Sequence, residues 1–134
     1  MKKLFFAVAL LLGLSALLVS CSKEEQYAEV IVGAWQMSKM EAIDDGIVID
    51  VEEGTGSIDE RIVFTNDGYA YIVEDPSERI SYSVNGSILI LNGSTAVTII
   101  TLTKSEMILE IEGPDYYEDD VSYNKIRAYF KRYQ

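Results

Sequence analysis

The stretch "RIVFTNDGYAYIVE", Arg61 to Glu74, decides the fold. Two short runs of β-branched and aromatic residues flank Asn66-Asp67-Gly68, where glycine supplies the positive φ that a tight hairpin needs. The same punctuation recurs on both sides. Upstream, "GAWQMSKMEAI" alternates with Trp35, Met37 and Ile43 in one phase, "GIVIDV" from Gly46 to Val51 is a β-branched run, and "EEGTGSIDE" from Glu52 to Glu60 reads as a flexible acidic loop. Glu24 to Val32 reads as a short helix or turn leading into the first strand.

Downstream, Asp75-Pro76-Ser77-Glu78 reads as a turn, and Ile80, Tyr82 and Val84 then alternate with Arg79, Ser81 and Ser83. Asn85-Gly86 and Asn92-Gly93 turn the chain into and out of "ILIL". Thr95 to Thr103, "TAVTIITLT", changes phase at Ile99-Ile100, which predicts a bulge or a strand buried on both faces. Met107, Leu109 and Ile111 oppose Glu110 and Glu112, Gly113-Pro114-Asp115 is expected to break that strand, and "YYEDD" from Tyr116 to begin a second acidic loop. "NKIRAYFKRYQ" alternates once more, with Ile126, Ala128 and Phe130 in one phase.

About eight short strands joined by tight turns imply antiparallel neighbours, and closing such a meander removes its exposed edges. The expected fold is all-β, a small antiparallel up-and-down barrel; a two-sheet β-sandwich is the alternative.

The first residues belong to something else. Met1-Lys2-Lys3 is a positive cap on an apolar run from Leu4 to Val19, broken only by Gly13 and Ser15. That is a secretory signal in form. A spanning helix needs about 20 apolar residues with anchoring flanks, and here a small residue and Cys21 arrive first. Residues 1–20 therefore read as a removed signal, 21–29 as a tether and 30–134 as the barrel domain. Cleavage leaves 114 of 134 residues, one domain's worth, and takes two lysines and no acid, moving the net charge from −11 to −13. Such a chain is a poor partner for nucleic acid and is repelled by anionic head groups.

The chain has no histidine, and Cys21 is its one cysteine. Disulfides, Cys/His zinc sites, thiol nucleophiles and Ser-His pairs are thereby excluded. The acid pairs Asp44-Asp45, Glu52-Glu53, Asp59-Glu60 and Asp119-Asp120 lie in polar stretches, whereas a general acid needs a desolvated carboxyl. No catalytic residue is assigned, and the chain reads as a non-enzyme. Calcium takes about six to eight oxygens; Asp44, Asp45 and Asp50, or Asp115 with Glu118, Asp119 and Asp120, supply some, but neither set has EF-hand spacing. No metal or cofactor is expected.

Trp35, Phe64, Tyr71 and Tyr82 are the candidates for lining an internal cavity for a small apolar ligand, against the plainer reading of core packing. Tyr116-Tyr117 fits either a recognition edge or a covered barrel mouth. Lys125, Arg127, Lys131 and Arg132 crowd the last strand, where they neutralise acidic neighbours; a docking patch for an anionic partner is the alternative.

Leu18-Val19-Ser20-Cys21 resembles the lipobox of bacterial lipoproteins. The resemblance implies a diacylglycerol on the Cys21 sulfur and an acylated (palmitate-type) amino group, two or three chains that hold where one holds only reversibly. Ser22 in place of Asp implies the outer membrane, and Lys23-Glu24-Glu25 resembles a signal for the cell surface. Gly33-Ala34-Trp35, "FTNDGYAY", "YSVNGSILIL" and "LTKSEMILEIE" together resemble the small lipocalin-like lipoprotein domains of Gram-negative bacteria, over most of residues 30–133. That likeness implies that Gly-x-Trp closes one barrel end and that an arginine of the last strand covers the indole; Arg132, in phase with Phe130, is the candidate and Arg127 the second choice. It also implies non-catalytic work: holding a small hydrophobic ligand, or docking another envelope protein.

Overall fold

The computed structural model describes residues 23–118 and 121–133. The signal segment, Cys21 and Asp119-Asp120 lie outside the described residues. A short helix, α1 (Lys23–Val30), precedes nine strands: β1 (Gly33–Asp44), β2 (Ile47–Glu53), β3 (Arg61–Phe64), β4 (Tyr69–Ile72), β5 (Asp75–Asn85), β6 (Ile88–Leu91), β7 (Thr95–Leu102), β8 (Glu106–Glu118) and β9 (Val121–Tyr133). A single 3₁₀ turn, Ile58–Glu60, leads into β3.

All pairings are antiparallel, in the order β2-β1-β3-β4-β5-β6-β7-β8-β9, and β9 also pairs with β1. Eight strands thus close an up-and-down barrel. The sandwich alternative is excluded by the β1–β9 seam, which runs from Ala34↔Tyr133 to Ile43↔Lys125. The ninth strand, β2, is extra: β3 pairs with the first four residues of β1 and β2 with the far half, so both lie on the same side of β1. The hairpin joining β1 to β2 turns at Asp45-Gly46, with φ of 48° and 81°. Two successive positive φ values match the right-handed twist of the flanking strands.

Strand direction fixes two ends. Gly33, Phe64 and Tyr133 meet at one end with the turns at 65–68 and 103–105; Asp44, Ile72 and Val121 lie at the other. Helix α1 closes the first end. Ile31, Trp35, Phe64, Ala70, Leu89, Val97, Ile99, Leu102 and Met107 form the buried core, with Tyr27 and Val30 of the α1 segment and Phe130 of β9 packed against it. Burying one such side chain contributes roughly 1.5–3 kcal/mol. Within the span 21–29 read above as tether, residues from Lys23 are helical and Tyr27 packs against the core.

Several expectations need correction. Asp75 to Glu78 is strand, not turn; the chain reverses earlier, at Val73-Glu74, and exposed Pro76, which has no N–H to donate, falls in the register irregularity between β4 and β5 and outside the β5–β6 pairing. Gly113-Pro114-Asp115 does not end β8. A register shift between Glu112 and Tyr116 absorbs it, and Tyr116 to Glu118 continue the ladder against β9, so the segment is not a loop there. The phase change in β7 is a bulge, between Ile99 and Thr101, with Ile100 turned to solvent. A similar shift in β1 between Met37 and Lys39 reverses its alternation, so Trp35 and Ile43 face opposite sides.

Candidate functional site

The closed end is built around Trp35. Its Nε1–H donates to the carbonyl of Ile31 at 2.9 Å, which ties the indole to the end of α1. The Arg132 guanidinium stacks 4.0 Å from the ring, donates through Nη1 to Val32 O at 2.7 Å and through Nη2 to Val30 O, and through Nε to Lys104 O at 3.0 Å. One side chain thereby satisfies carbonyls that the helix end leaves without partners and joins them to the β7–β8 turn. Burial lowers the pKa of this guanidinium from its ordinary value.

Gly33 is the residue that lets this happen. Its φ is +130°, and a Cβ there would stand 2.5 Å from Arg132 Nη1. At Gly33 a side chain would meet both the unfavourable φ and the Arg132 guanidinium, which would have to give up its position against Val32 O.

Phe64 and Tyr82 complete this end as an edge-to-face pair with ring centroids 5.0 Å apart. The Tyr82 hydroxyl donates to Thr65 O at 2.6 Å, and burial, with a smaller push from Asp67, raises its pKa. Trp35, Phe64 and Tyr82 are therefore packed into the floor. Tyr71 is not with them: Ala70 pairs with Phe64 inside, and Tyr71, one residue on, pairs with Val63 on the outer phase. Its expected place in the lining is corrected by that single step of alternation.

The open end differs in character. Ile72 and Ile80 share the inner phase, since they pair with the core-packed Ile62 and with Ala70, yet they are 39 % and 36 % exposed. Across the barrel Met40 and Ala42 pair with Ala128 and Ile126 of β9, which pair in turn with Leu109 and Ile111 of β8. All six are in the phase of Phe130 and only partly covered. An apolar funnel thus leads from the far rim to the Trp35 floor.

A family model described as a lipocalin-like domain matches residues 31–109 of the chain, more than half of it. The chain belongs to the lipocalin-like domain family. Comparison with curated proteins and with solved structures finds no match. The matched segment stops at Leu109, so the second half of β8 and the closing strand β9 of this lipocalin-like domain are supplied by the structure alone.

The outer wall carries the charges. Glu41, Arg127 and Glu110 sit side by side across β1, β9 and β8. Arg127 donates through Nε and Nη2 to Glu110 Oε2 at 2.9 and 2.7 Å, Lys125 lies 3.6 Å from Glu110 and 3.0 Å from Glu112, and Tyr129 donates to Glu41 at 2.5 Å. Glu110 holds the Arg127 pKa above its ordinary value, chiefly through the hydrogen bond. Glu41 and Glu110 are nearly buried, but each is occupied by a donor. Arg127 is thereby engaged far from the indole, on the other face of β9. A cleft of about 430 Å³ is lined by Lys39, Glu53, Ile108, Tyr129 and Lys131 of the outer phase together with Phe130.

Among the described residues, no group of three or more acidic or thiol side chains is placed to hold a metal ion, and no helix is long and apolar enough to cross a membrane. Sequence reasoning missed Ile72 and the funnel across β1, β8 and β9. The β1 bulge hides the inner phase of Met40 and Ala42, and no local signal marks it.

Proposed function

We propose that this lipocalin-like domain is a non-catalytic binder that holds a small hydrophobic ligand in the open half of its barrel. The observation that carries the reading is the exposure of inward-facing Ile72 and Ile80, at 39 % and 36 %, above a floor where Trp35 and Phe64 are at 0 % and 1 %. Large apolar side chains left half-wet in a concavity are what a ligand would cover. The nearly buried carboxylates Glu41 and Glu110 lie on the opposite side of the wall, held by hydrogen bonds from Tyr129 and Arg127.

Acylation of Cys21, with outer-membrane or surface residence, completes the proposal and rests on the lipobox resemblance. Native mass spectrometry of the chain from Lys23, purified from its own host, tests the binding. A reproducible extra mass of lipid size is expected, and its absence, with no uptake of a fluorescent apolar probe, would leave the docking-module reading. Membrane retention unchanged by Cys21→Ala would refute the anchor.

A further inference from the structure

Strand β2 lies outside the closed barrel and ends the sheet: among the described residues it pairs with β1 and with no other strand. Every residue of it is exposed, and Ile47, Val48, Ile49 and Val51 stand 67 %, 43 %, 38 % and 45 % in solvent. β-Branched side chains left wet along an open edge make a template for a further strand.

The free backbone groups can be placed. Gly54 N–H donates to Ser38 O of β1 at 2.8 Å. Backbone direction alternates along a strand, so Glu52 turns its N–H and C=O to β1, while Val51 and Glu53 turn theirs to the open side. The Val51 N–H goes to the carboxylate of its own neighbour, Asp50 Oδ1, at 3.0 Å in an exposed position. A side-chain oxygen thus stands in for the carbonyl that an added strand would bring.

The two faces of β2 differ in chemistry. Asp50 and Glu52 share the inner phase, opposite Ala42 and Met40; Val48 and Val51 share the outer phase, opposite Ile43 and Glu41. The strand has no lysine and no proline, the residues that blunt an edge most directly, and its charges are of one sign. A second copy is repelled. Antiparallel pairing of two β2 strands centred on Ile49 sets Glu53 against Asp45, and centred on Asp50 sets that carboxylate against itself. The two chains would each bring a net charge of −11. The same charges attract a basic strand.

We propose that β2 receives an extended basic segment of another protein as a further antiparallel strand, with lysine or arginine opposite Asp50 and Glu52 and apolar residues beside Val48 and Val51. The Val51 N–H then exchanges Asp50 Oδ1 for a partner carbonyl, and the carboxylate is released to a partner cation. This surface is independent of the funnel and of what the funnel holds.

The probe is a capped heptapeptide that alternates lysine and valine, beginning and ending on lysine, titrated by amide NMR into the chain from Lys23, which holds all the strands and the core. The amides from Val48 to Glu53 should shift, and those of Val51 and Glu53 should gain protection from hydrogen exchange. The matching glutamate–valine peptide should bind about tenfold more weakly or worse. Directly opposed residues share a face, so the bonds to Val51 and Glu53 come from the valine amides of the peptide. N-methylation of its three valines should abolish binding, and N-methylation of three of its lysines should leave it within about threefold. Val51→Pro removes an outward N–H and no bond to β1, and should weaken binding about fivefold or more. Asp50→Lys/Glu52→Lys should reverse the preference between the two peptides, whereas Glu29→Lys/Glu106→Lys, of the same net charge, should keep it. Equal binding of the two N-methylated peptides would mean attraction without strand addition and overturn the proposal. Reversal in both double variants, shifts confined to residues outside β2, or no binding of the lysine–valine peptide would overturn it as well. A concentration-dependent dimer that Val51→Pro dissociates would give the edge to a second copy and overturn it too.

Discussion

Replacing Arg132 by Ala should unseat the floor of the barrel. The side chain makes three charge-assisted hydrogen bonds to Val30, Val32 and Lys104 carbonyls and stacks on Trp35. The Lys104 bond is exposed, and water replaces it at little cost. The two bonds to the carbonyls of Val30, at the end of α1, and Val32, just past it, are part-buried, and losing them costs about 1–1.5 kcal/mol each. The stack adds roughly 0.5–2 kcal/mol, and the sum, cut by relaxation, is about 2–4 kcal/mol. That is a large share of the roughly 5–15 kcal/mol that holds a domain of this kind. With a urea slope of about 1–3 kcal/mol per molar, the midpoint of the chain from Lys23 should fall by about 1–3 M. Arg132→Lys keeps the charge but not the planar fork and should recover less than half. A double-mutant cycle with Trp35→Phe isolates the stack. An Arg132→Ala loss below about 0.5 kcal/mol, within the scatter of ordinary surface changes, would refute the reasoning.

Other consequences can be measured on the same chain. Gly33→Ala combines a φ of +130° with a 2.5 Å approach to Arg132 Nη1 and should cost about 1–3 kcal/mol or more by urea melt, while Gly46→Ala, open on all sides, should pay only for its φ of +81°. Tyr82→Phe loses the 2.6 Å bond to Thr65 O and should cost about 0.5–1.5 kcal/mol at neutral pH. Because the folded state raises the Tyr82 pKa above 10.0, its contribution is intact below pH 10, and stability falls as pH climbs through the raised value because the unfolded chain ionises first; a melt series into alkali should show that limb weakened in the variant. Ile72→Lys and Ile80→Lys, at half-wet positions, should change stability by less than about 1 kcal/mol and weaken uptake of an apolar fluorescent probe at least tenfold.

The parts of this fold that were legible in the sequence are the local ones. The hairpin at Asn66-Asp67-Gly68 and the turns at Asn85-Gly86 and Asn92-Gly93 are written in the residues that form them, because a positive φ selects glycine and asparagine wherever it occurs. The even alternation of β9 puts Arg132 on the side of Phe130, and the bulge in β7 shows as two adjacent isoleucines. What was not legible depends on neighbours distant in the chain. Gly113-Pro114-Asp115 looks like a terminator, but β9 holds the strand together on both sides of the irregularity. Tyr71 sits in a four-residue strand whose phase is set by Ala70 against Phe64, and nothing local distinguishes the two directions. The inner face of β1 beyond Met37 is reversed by one extra residue against β9, which moves Met40 and Ala42 into the funnel and Glu41 onto the outer wall.

The central claim is that the open half of the barrel, and not its outer surface, receives an apolar molecule. Isoleucine methyl NMR of the chain from Lys23, titrated with decylammonium and with decanol, tests it residue by residue. The δ1 methyls of Ile72, Ile80, Ile111 and Ile126 should shift together and saturate with at least one of the two, while those of Ile58, Ile100 and Ile108 stay in place. Shifts confined to the outer methyls, or none at any of the seven positions, would contradict the account.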